Sequence, residues 1–74
     1  MDIDPRSYNI IIRYDDFEGE MYYEARVKEF PHIMEYSDIP DKAYELAVNH
    51  IEYLIHHMTE KGREIPEPIN LFAD

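Results

Sequence analysis

The apolar residues of this 74-residue chain change their spacing once, near Pro40. Before that point they alternate with polar residues, which is the period of a half-buried β-strand. After it they recur at three- and four-residue steps, which is the period of an amphipathic helix. The chain therefore predicts a sheet followed by a helix. Its length suits one small domain over residues 1–74, with residues 1–6 and 73–74 as loose ends.

Three strands are predicted before the change of period. Residues 7–14 and 21–28 divide by alternation into two faces each, and residues 33–36 are long enough for a short third strand. Residues 15–20 hold one glycine and four acids, which is typical of a hairpin loop. The sheet face predicted to stay open carries Asn9, Ile11, Arg13, Tyr22, Glu24, Arg26 and Lys28.

One long helix is predicted over residues 41–61. Pro40 suits the first helical turn, Ser37 or Asp38 can cap it, and Gly62 suits its end. The apolar stripe of the helix consists of Ala43, Ala47, His50 or Ile51, Leu54 and Met58.

The residues after the helix complete the predicted fold. Pro66 and Pro68 exclude a helix there and favour an extended edge segment. The fold class predicted is α+β. A three-stranded antiparallel meander sheet carries one long helix on one face and a short fourth strand, in the order β-β-β-α-β.

The charge of the chain favours a basic protein as its partner. Seventeen acids against seven bases give a net charge of −10, whereas binding to phosphates needs lysine and arginine. The chain has no cysteine, no apolar run long enough to span a membrane, and an acidic start where a signal peptide is basic. We therefore expect a cytoplasmic protein that binds neither nucleic acid directly nor membranes.

Three short segments resemble the HicB antitoxin family, which carries a Leu-Pro-Gly turn, a Gly-Asp-Thr helix entrance and a Gly-x-x-Ile-Pro-x-Pro exit. The corresponding residues are Phe30-Pro31-His32, Ser37-Asp38-Ile39 and Gly62-Arg63-Glu64-Ile65-Pro66-Glu67-Pro68. The exit matches best, and the resemblance covers residues 8–68. His32 replaces the turn glycine, and Ser37 and Ile39 replace the glycine and threonine of the entrance.

The resemblance implies a partial RNase H-like fold and an antitoxin role. A HicB-like protein binds a small basic HicA-like toxin, which cleaves mRNA, and blocks it. Many family members continue into a DNA-binding module, for which residues 69–74 are too few. The expectation is thus a short, non-enzymatic member that forms homodimers or higher homo-oligomers and does not bind an operator.

The residues predicted to bind the partner lie in and beside the hairpin loop. They are Asp15, Asp16, Glu18, Glu20 and Tyr22. The four carboxylates can compete for a basic groove, and a tyrosine is a natural interface anchor. Charge alone favours the simpler interpretation of the acids as a solvated turn.

Two further interpretations involve other kinds of site. Glu52, His56 and Glu60 line up at four-residue steps and could hold zinc, although surface ion pairing is the commoner use of such a stripe. No convergent pair of strand carboxylates suits two-metal chemistry, so neither a cofactor nor catalysis is expected. His50 is expected to be a partly buried core residue with its ring nitrogen bonded. An oligomerisation domain without a toxin remains an alternative function.

Overall fold

The computed structural model describes residues 3–71 and shows an α+β architecture. A three-stranded open sheet and one helix follow each other along the chain, as the change of period predicted. The elements are a one-turn 3-10 helix Pro5–Ser7, strands β1 Ile10–Phe17, β2 Glu20–Val27 and β3 Phe30–Ser37, and helix α1 Pro40–Glu60.

The sheet is the predicted antiparallel meander, in the order β1-β2-β3. Strand β1 pairs with β2 so that Ile10 lies opposite Val27 and Tyr14 lies opposite Tyr23. Strand β2 pairs with β3 with a shift of register between Arg26 and Val27. β3 is longer than the predicted residues 33–36, because an edge strand tolerates Pro31 near its start.

The core lies between α1 and one face of the sheet. Ala25, Val27 and Ile33 from the sheet are fully or almost fully buried, as are Ala43, Ala47 and Ile51 from the helix. Two alanines on the buried stripe let the helix backbone approach the sheet closely. The predicted helix stripe is therefore confirmed, and Ala25 and Val27 lie on the side of β2 opposite the predicted open face.

The two ends of α1 differ in how well they were predicted. Pro40 occupies the first turn, but the N-cap position is Ile39, whose side chain cannot accept a hydrogen bond. The prediction that Ser37 or Asp38 caps the helix is therefore wrong, and the Ser37 hydroxyl instead accepts a hydrogen bond from the Ile39 amide. At the other end Gly62, at φ 67°, terminates the helix as predicted.

The hairpin between β1 and β2 is much tighter than the predicted loop over residues 15–20. Only Glu18 and Gly19 lie outside the strands, with φ angles of 53° and 87°. Two consecutive positive φ angles are typical of a type I′ turn, whose twist matches that of the strands. The strands therefore extend through Asp16 and Phe17 on one side and begin at Glu20 on the other.

No strand follows α1 in the described part of the chain. Residues 64–70 have no regular secondary structure and are attached through side chains: the Tyr8 hydroxyl donates to the Pro66 carbonyl at 2.6 Å, and Asn9 Nδ2 donates to the Ile69 carbonyl at 2.6 Å. Pro66 and Pro68 have no N–H to donate to a strand ladder, which accounts for this arrangement.

Residues 3–6 of the predicted loose end 1–6 lie within the described part of the chain, where a one-turn 3-10 helix begins at Pro5. Asp4 caps the 3-10 helix by accepting a hydrogen bond from the Arg6 amide at 2.9 Å, and Ile3 packs against the core. The loose ends predicted at residues 1–2 and 73–74 lie outside the described residues.

Candidate protein-binding surface

The sheet face opposite α1, here called the open face, combines apolar and charged side chains. Alternation along the strands places there Ile11, Arg13, Asp15, Phe17, Glu20, Tyr22, Glu24, Arg26, Met34 and Tyr36. Ile11, Phe17, Met34 and Tyr36 are exposed, and Phe17 is 60% exposed. Exposed apolar residues gathered on one face are typical of a surface that a partner covers.

Glu24 lies at the centre of the open face and is only 3% exposed. Its Oε1 accepts a hydrogen bond from Arg26 Nε at 2.8 Å, and its Oε2 accepts one from the Tyr36 hydroxyl at 3.1 Å. The hydrogen bond from Arg26 lowers the pKa of Glu24 and, with that from Tyr36, outweighs the effect of burial. Glu24 is thus an ionised carboxylate whose two oxygens bind the side chains of Arg26 and Tyr36.

Three aromatic rings surround an open pocket at the hairpin end of this face. Phe17, Tyr22 and Tyr36 line it, and its volume is about 240 Å³. The ring centroids of Phe17 and Tyr36 are 6.3 Å apart. The Tyr22 hydroxyl donates a hydrogen bond to Glu20 Oε2 at 2.7 Å. We call this site the aromatic pocket.

The structure brings together only some of the five residues predicted to bind a partner. Asp15 lies in β1 opposite Tyr22, and both are on the open face, as is Glu20. Asp16 points to the other side of the sheet, where its Oδ1 accepts a hydrogen bond from the Gly19 amide at 2.8 Å. Glu18 occupies the turn itself. Asp15 and Glu20 therefore lie on the open face with Glu18 in the adjacent turn, and we call these three acids the acidic rim.

Phe17 and Tyr36 were missing from the predicted site. The predicted hairpin loop over residues 15–20 includes Phe17, whereas the type I′ turn leaves only Glu18 and Gly19 outside the strands. Arg13 and Asp15 share one face of β1, and continuing this two-residue alternation places Phe17 on the same open face. Tyr36 belongs to the same face because it pairs with Glu24 across β2 and β3.

Two of the four histidines pair with carboxylates. His50 Nδ1 lies 2.7 Å from Glu35 Oε2, which joins α1 to β3 and confirms the expectation of a partly buried, bonded histidine. His56 Nε2 lies 2.6 Å from Glu60 Oε1 on the exposed side of the helix. Within residues 3–71, no group of three or more histidine and carboxylate side chains is arranged to hold a metal ion.

Comparison of the chain with models of protein families, with curated proteins and with solved structures finds no match. Among the described residues, α1 is too polar to cross a membrane, and no other long helix is present.

Proposed function

We propose that this chain is an antitoxin-like binding protein that covers the active site of a small basic mRNA-cleaving toxin. The observation that carries the proposal is the acidic rim beside the exposed apolar residues of the open face. Asp15 and Glu20 lie on that face and Glu18 lies next to it, while Phe17 and Tyr36 supply apolar surface. Apolar anchors with a charged rim form a surface complementary to a small basic protein.

The proposal includes the partial RNase H-like fold of the HicB antitoxins. It is supported by the order of three antiparallel strands and one helix, and by the path of the chain after Gly62. Pro66 and Ile69 return beside Tyr8 and Asn9, immediately before β1. In this proposal the returning segment occupies the place of the family's fourth strand.

Inhibition in this proposal is by occlusion and needs no chemistry from the chain. The net charge of −10 raises the rate of association with a basic partner and makes that rate depend on salt. Because the toxin acts on mRNA, the proposal places the complex in the cytoplasm, with this chain forming a homodimer or a higher homo-oligomer.

The test has two steps, capture and inhibition. The tagged protein is purified from its source cells at low salt, and any basic protein released by raising the salt is identified and expressed separately. Cleavage of RNA by that partner is then measured with and without one equivalent of this chain. Loss of cleavage is the expected result, and a partner that cleaves no RNA or stays active in the complex contradicts the proposal.

A pair of charge-reversed variants separates the acidic rim from net charge. The rim variant replaces Asp15, Glu18 and Glu20 by lysine, and leaves Asp16 because it bonds the turn. The control changes the net charge equally at exposed acids elsewhere, namely Glu45, Glu52 and Glu64. We expect the rim variant to bind the partner much more weakly than the control. Equal losses of affinity in the two variants would show that the acidic rim is not part of the interface.

A second candidate function is that of an oligomerisation domain with no toxin partner. The observation that favours it is the exposure of Ile11 and Met34 on the open face, which a second copy could cover. A homo-oligomer that retains no other protein at low salt is the result expected from this candidate.

A further inference from the structure

The aromatic pocket has the size of a site for one side chain. Its volume of about 240 Å³ is below the roughly 300 to 1,000 Å³ of pockets for small molecules. Phe17 is 60% exposed and Tyr36 is 42% exposed, so their rings are accessible to a partner without any rearrangement of the sheet. The pocket lies at the end of β1 and β2, next to the turn.

The rings of this pocket are set among carboxylates. The Tyr22 hydroxyl donates to Glu20, and the Tyr36 hydroxyl donates to Glu24. The hydrogen bond that the Tyr22 hydroxyl donates to Glu20 raises the pKa of Tyr22, and the charges of Glu20 and Asp38 add to this effect. Burial, the bond to Glu24 and the charge of Asp15 raise the pKa of Tyr36. Phenols bonded to carboxylates have electron-rich rings, which strengthens their attraction for a cation.

The two cations of the open face do not neutralise the carboxylates around this site. Arg13 lies opposite Glu24 in the pairing of β1 with β2, and its charge lowers the pKa of Glu24. Arg26 is held by Glu24, with 2.8 Å between Arg26 Nε and Glu24 Oε1, and the two charges balance each other. The four carboxylates Asp15, Glu20, Glu24 and Asp38 outnumber the two cations, so the surroundings of the aromatic pocket keep a negative net charge. A second copy of the chain would bring the same carboxylates to the pocket and be repelled, whereas a basic protein would not.

We propose that Phe17, Tyr22 and Tyr36 hold a lysine or arginine side chain of the basic partner, an inference that rests on the proposed function. The cation lies against the ring faces, and the surrounding carboxylates complete its charge balance. The pocket thus supplies the anchor of the interface, and the acidic rim steers the partner toward it.

The test uses two blocked peptides, hexa-arginine and hexa-citrulline, which have nearly the same shape but differ in charge. Each is titrated into the protein at low salt, and the ring protons of the aromatic residues are followed by NMR. Hexa-arginine is expected to shift the signals of Phe17, Tyr22 and Tyr36 more than that of Tyr53, an exposed ring on α1. Equal shifts with hexa-citrulline, or shifts spread evenly over all exposed rings, would overturn the proposal.

Two variants repeat the test at the level of affinity. Phe17→Leu keeps the pocket apolar but removes one π face, and Tyr53→Leu removes an exposed ring outside the pocket. Phe17→Leu is expected to weaken hexa-arginine binding roughly three- to five-fold, and Tyr53→Leu to leave it unchanged. An equal loss of affinity in both variants, or no loss in either, would overturn the proposal that the aromatic pocket holds the cation.

The two proposals fail in different ways. If an RNA-cleaving partner is inhibited equally by wild type and by Phe17→Leu, the aromatic pocket is wrong and the antitoxin role stands. If hexa-arginine binds in the pocket but no inhibited partner is found, the pocket stands and the antitoxin role is wrong.

Discussion

The Oε2 atom of Glu29, in the turn between β2 and β3, accepts a hydrogen bond from the Ile69 amide at 2.8 Å. The same carboxylate accepts two bonds from Asn9, one from its backbone amide at 3.1 Å and one from Nδ2 at 2.7 Å. Glu29 is only 8% exposed. One carboxylate therefore joins the start of β1 to the segment after α1, where no strand pairing does so among the described residues.

Replacing Glu29 by Gln is expected to lower the free energy of unfolding by about 1–3 kcal/mol near neutral pH, because hydrogen bonds to a buried, charged carboxylate are lost. Denaturation in urea, followed by circular dichroism, measures the change. The matched control is Glu64→Gln, an exposed acid in the same segment, for which a change within about 0.5 kcal/mol is expected.

The contribution of Glu29 should also depend on pH. Burial alone would raise the pKa of Glu29, but the hydrogen bonds from the Ile69 amide and Asn9 outweigh it, so the pKa lies below its ordinary value of 4.5. A lowered pKa stabilises the fold above the unfolded value, and that stability is lost as the pH falls through the folded value.

The difference in unfolding free energy between wild type and Glu29→Gln is therefore expected to shrink below about pH 4.5. Taking this difference cancels the change in net charge that acidification causes elsewhere in the molecule. A difference that stays constant from neutral to strongly acidic pH would contradict the assigned role of the carboxylate.

Much of the fold could be predicted because it is local in the sequence. Alternation places Ile10 and Ile12 toward the helix and Ile11 toward solvent, and the three- and four-residue steps place Ala43 and Ala47 in the core. Each pattern is a periodicity of apolar residues, and a periodicity can be recognised within one segment without knowing its contacts. The element order and the covered face of the sheet followed from them.

The remaining features depend on contacts between distant segments. The burial of Glu24 depends on Tyr36 in the next strand, and that of Glu29 depends on Ile69, 40 residues away. Nothing in the local pattern marks these acids as different from their solvated neighbours. The aromatic pocket was missed for a related reason, since its three rings come from three different strands.

The turn between β1 and β2 predicts opposite effects at its two positions. Glu18 holds φ at 53°, a conformation that Asn adopts more readily than Glu, so Glu18→Asn is expected to stabilise the protein by about 0.5–1 kcal/mol. Gly19→Ala is expected to destabilise it by about 1 kcal/mol through its φ of 87°. An added Cβ at Gly19 meets no atom within 4 Å, so no clash contributes.

Thermal or urea unfolding of the two variants measures these effects. Equal changes of the same sign in the unfolding free energies of Glu18→Asn and Gly19→Ala would mean that the φ angles of the turn do not limit stability.

The small residues of α1 predict a cost for enlarging them. Ala47 is fully buried between the helix and the sheet, so a larger side chain at this position cannot extend into solvent. Ala47→Leu is expected to lower the free energy of unfolding by about 1–3 kcal/mol, because the helix must move away from the sheet. Asn49→Leu, on the exposed side of the same helix, is the control and should have little effect. An Ala47→Leu variant as stable as wild type would show that the helix is not packed closely.

Two His–Glu pairs of similar length allow the effect of burial to be tested directly. His50 and Glu35 join α1 to β3 at 2.7 Å with their side chains 32% and 26% exposed, whereas His56 and Glu60 meet at 2.6 Å with 76% and 64% exposed. A double-mutant cycle to alanine is expected to give a coupling energy of about 0.5–1 kcal/mol for the first pair. For the second pair, about 0.2–0.5 kcal/mol is expected, because water competes for exposed groups and the partners are only one helical turn apart. Equal coupling in the two pairs would contradict the role of His50 in holding the helix on the sheet.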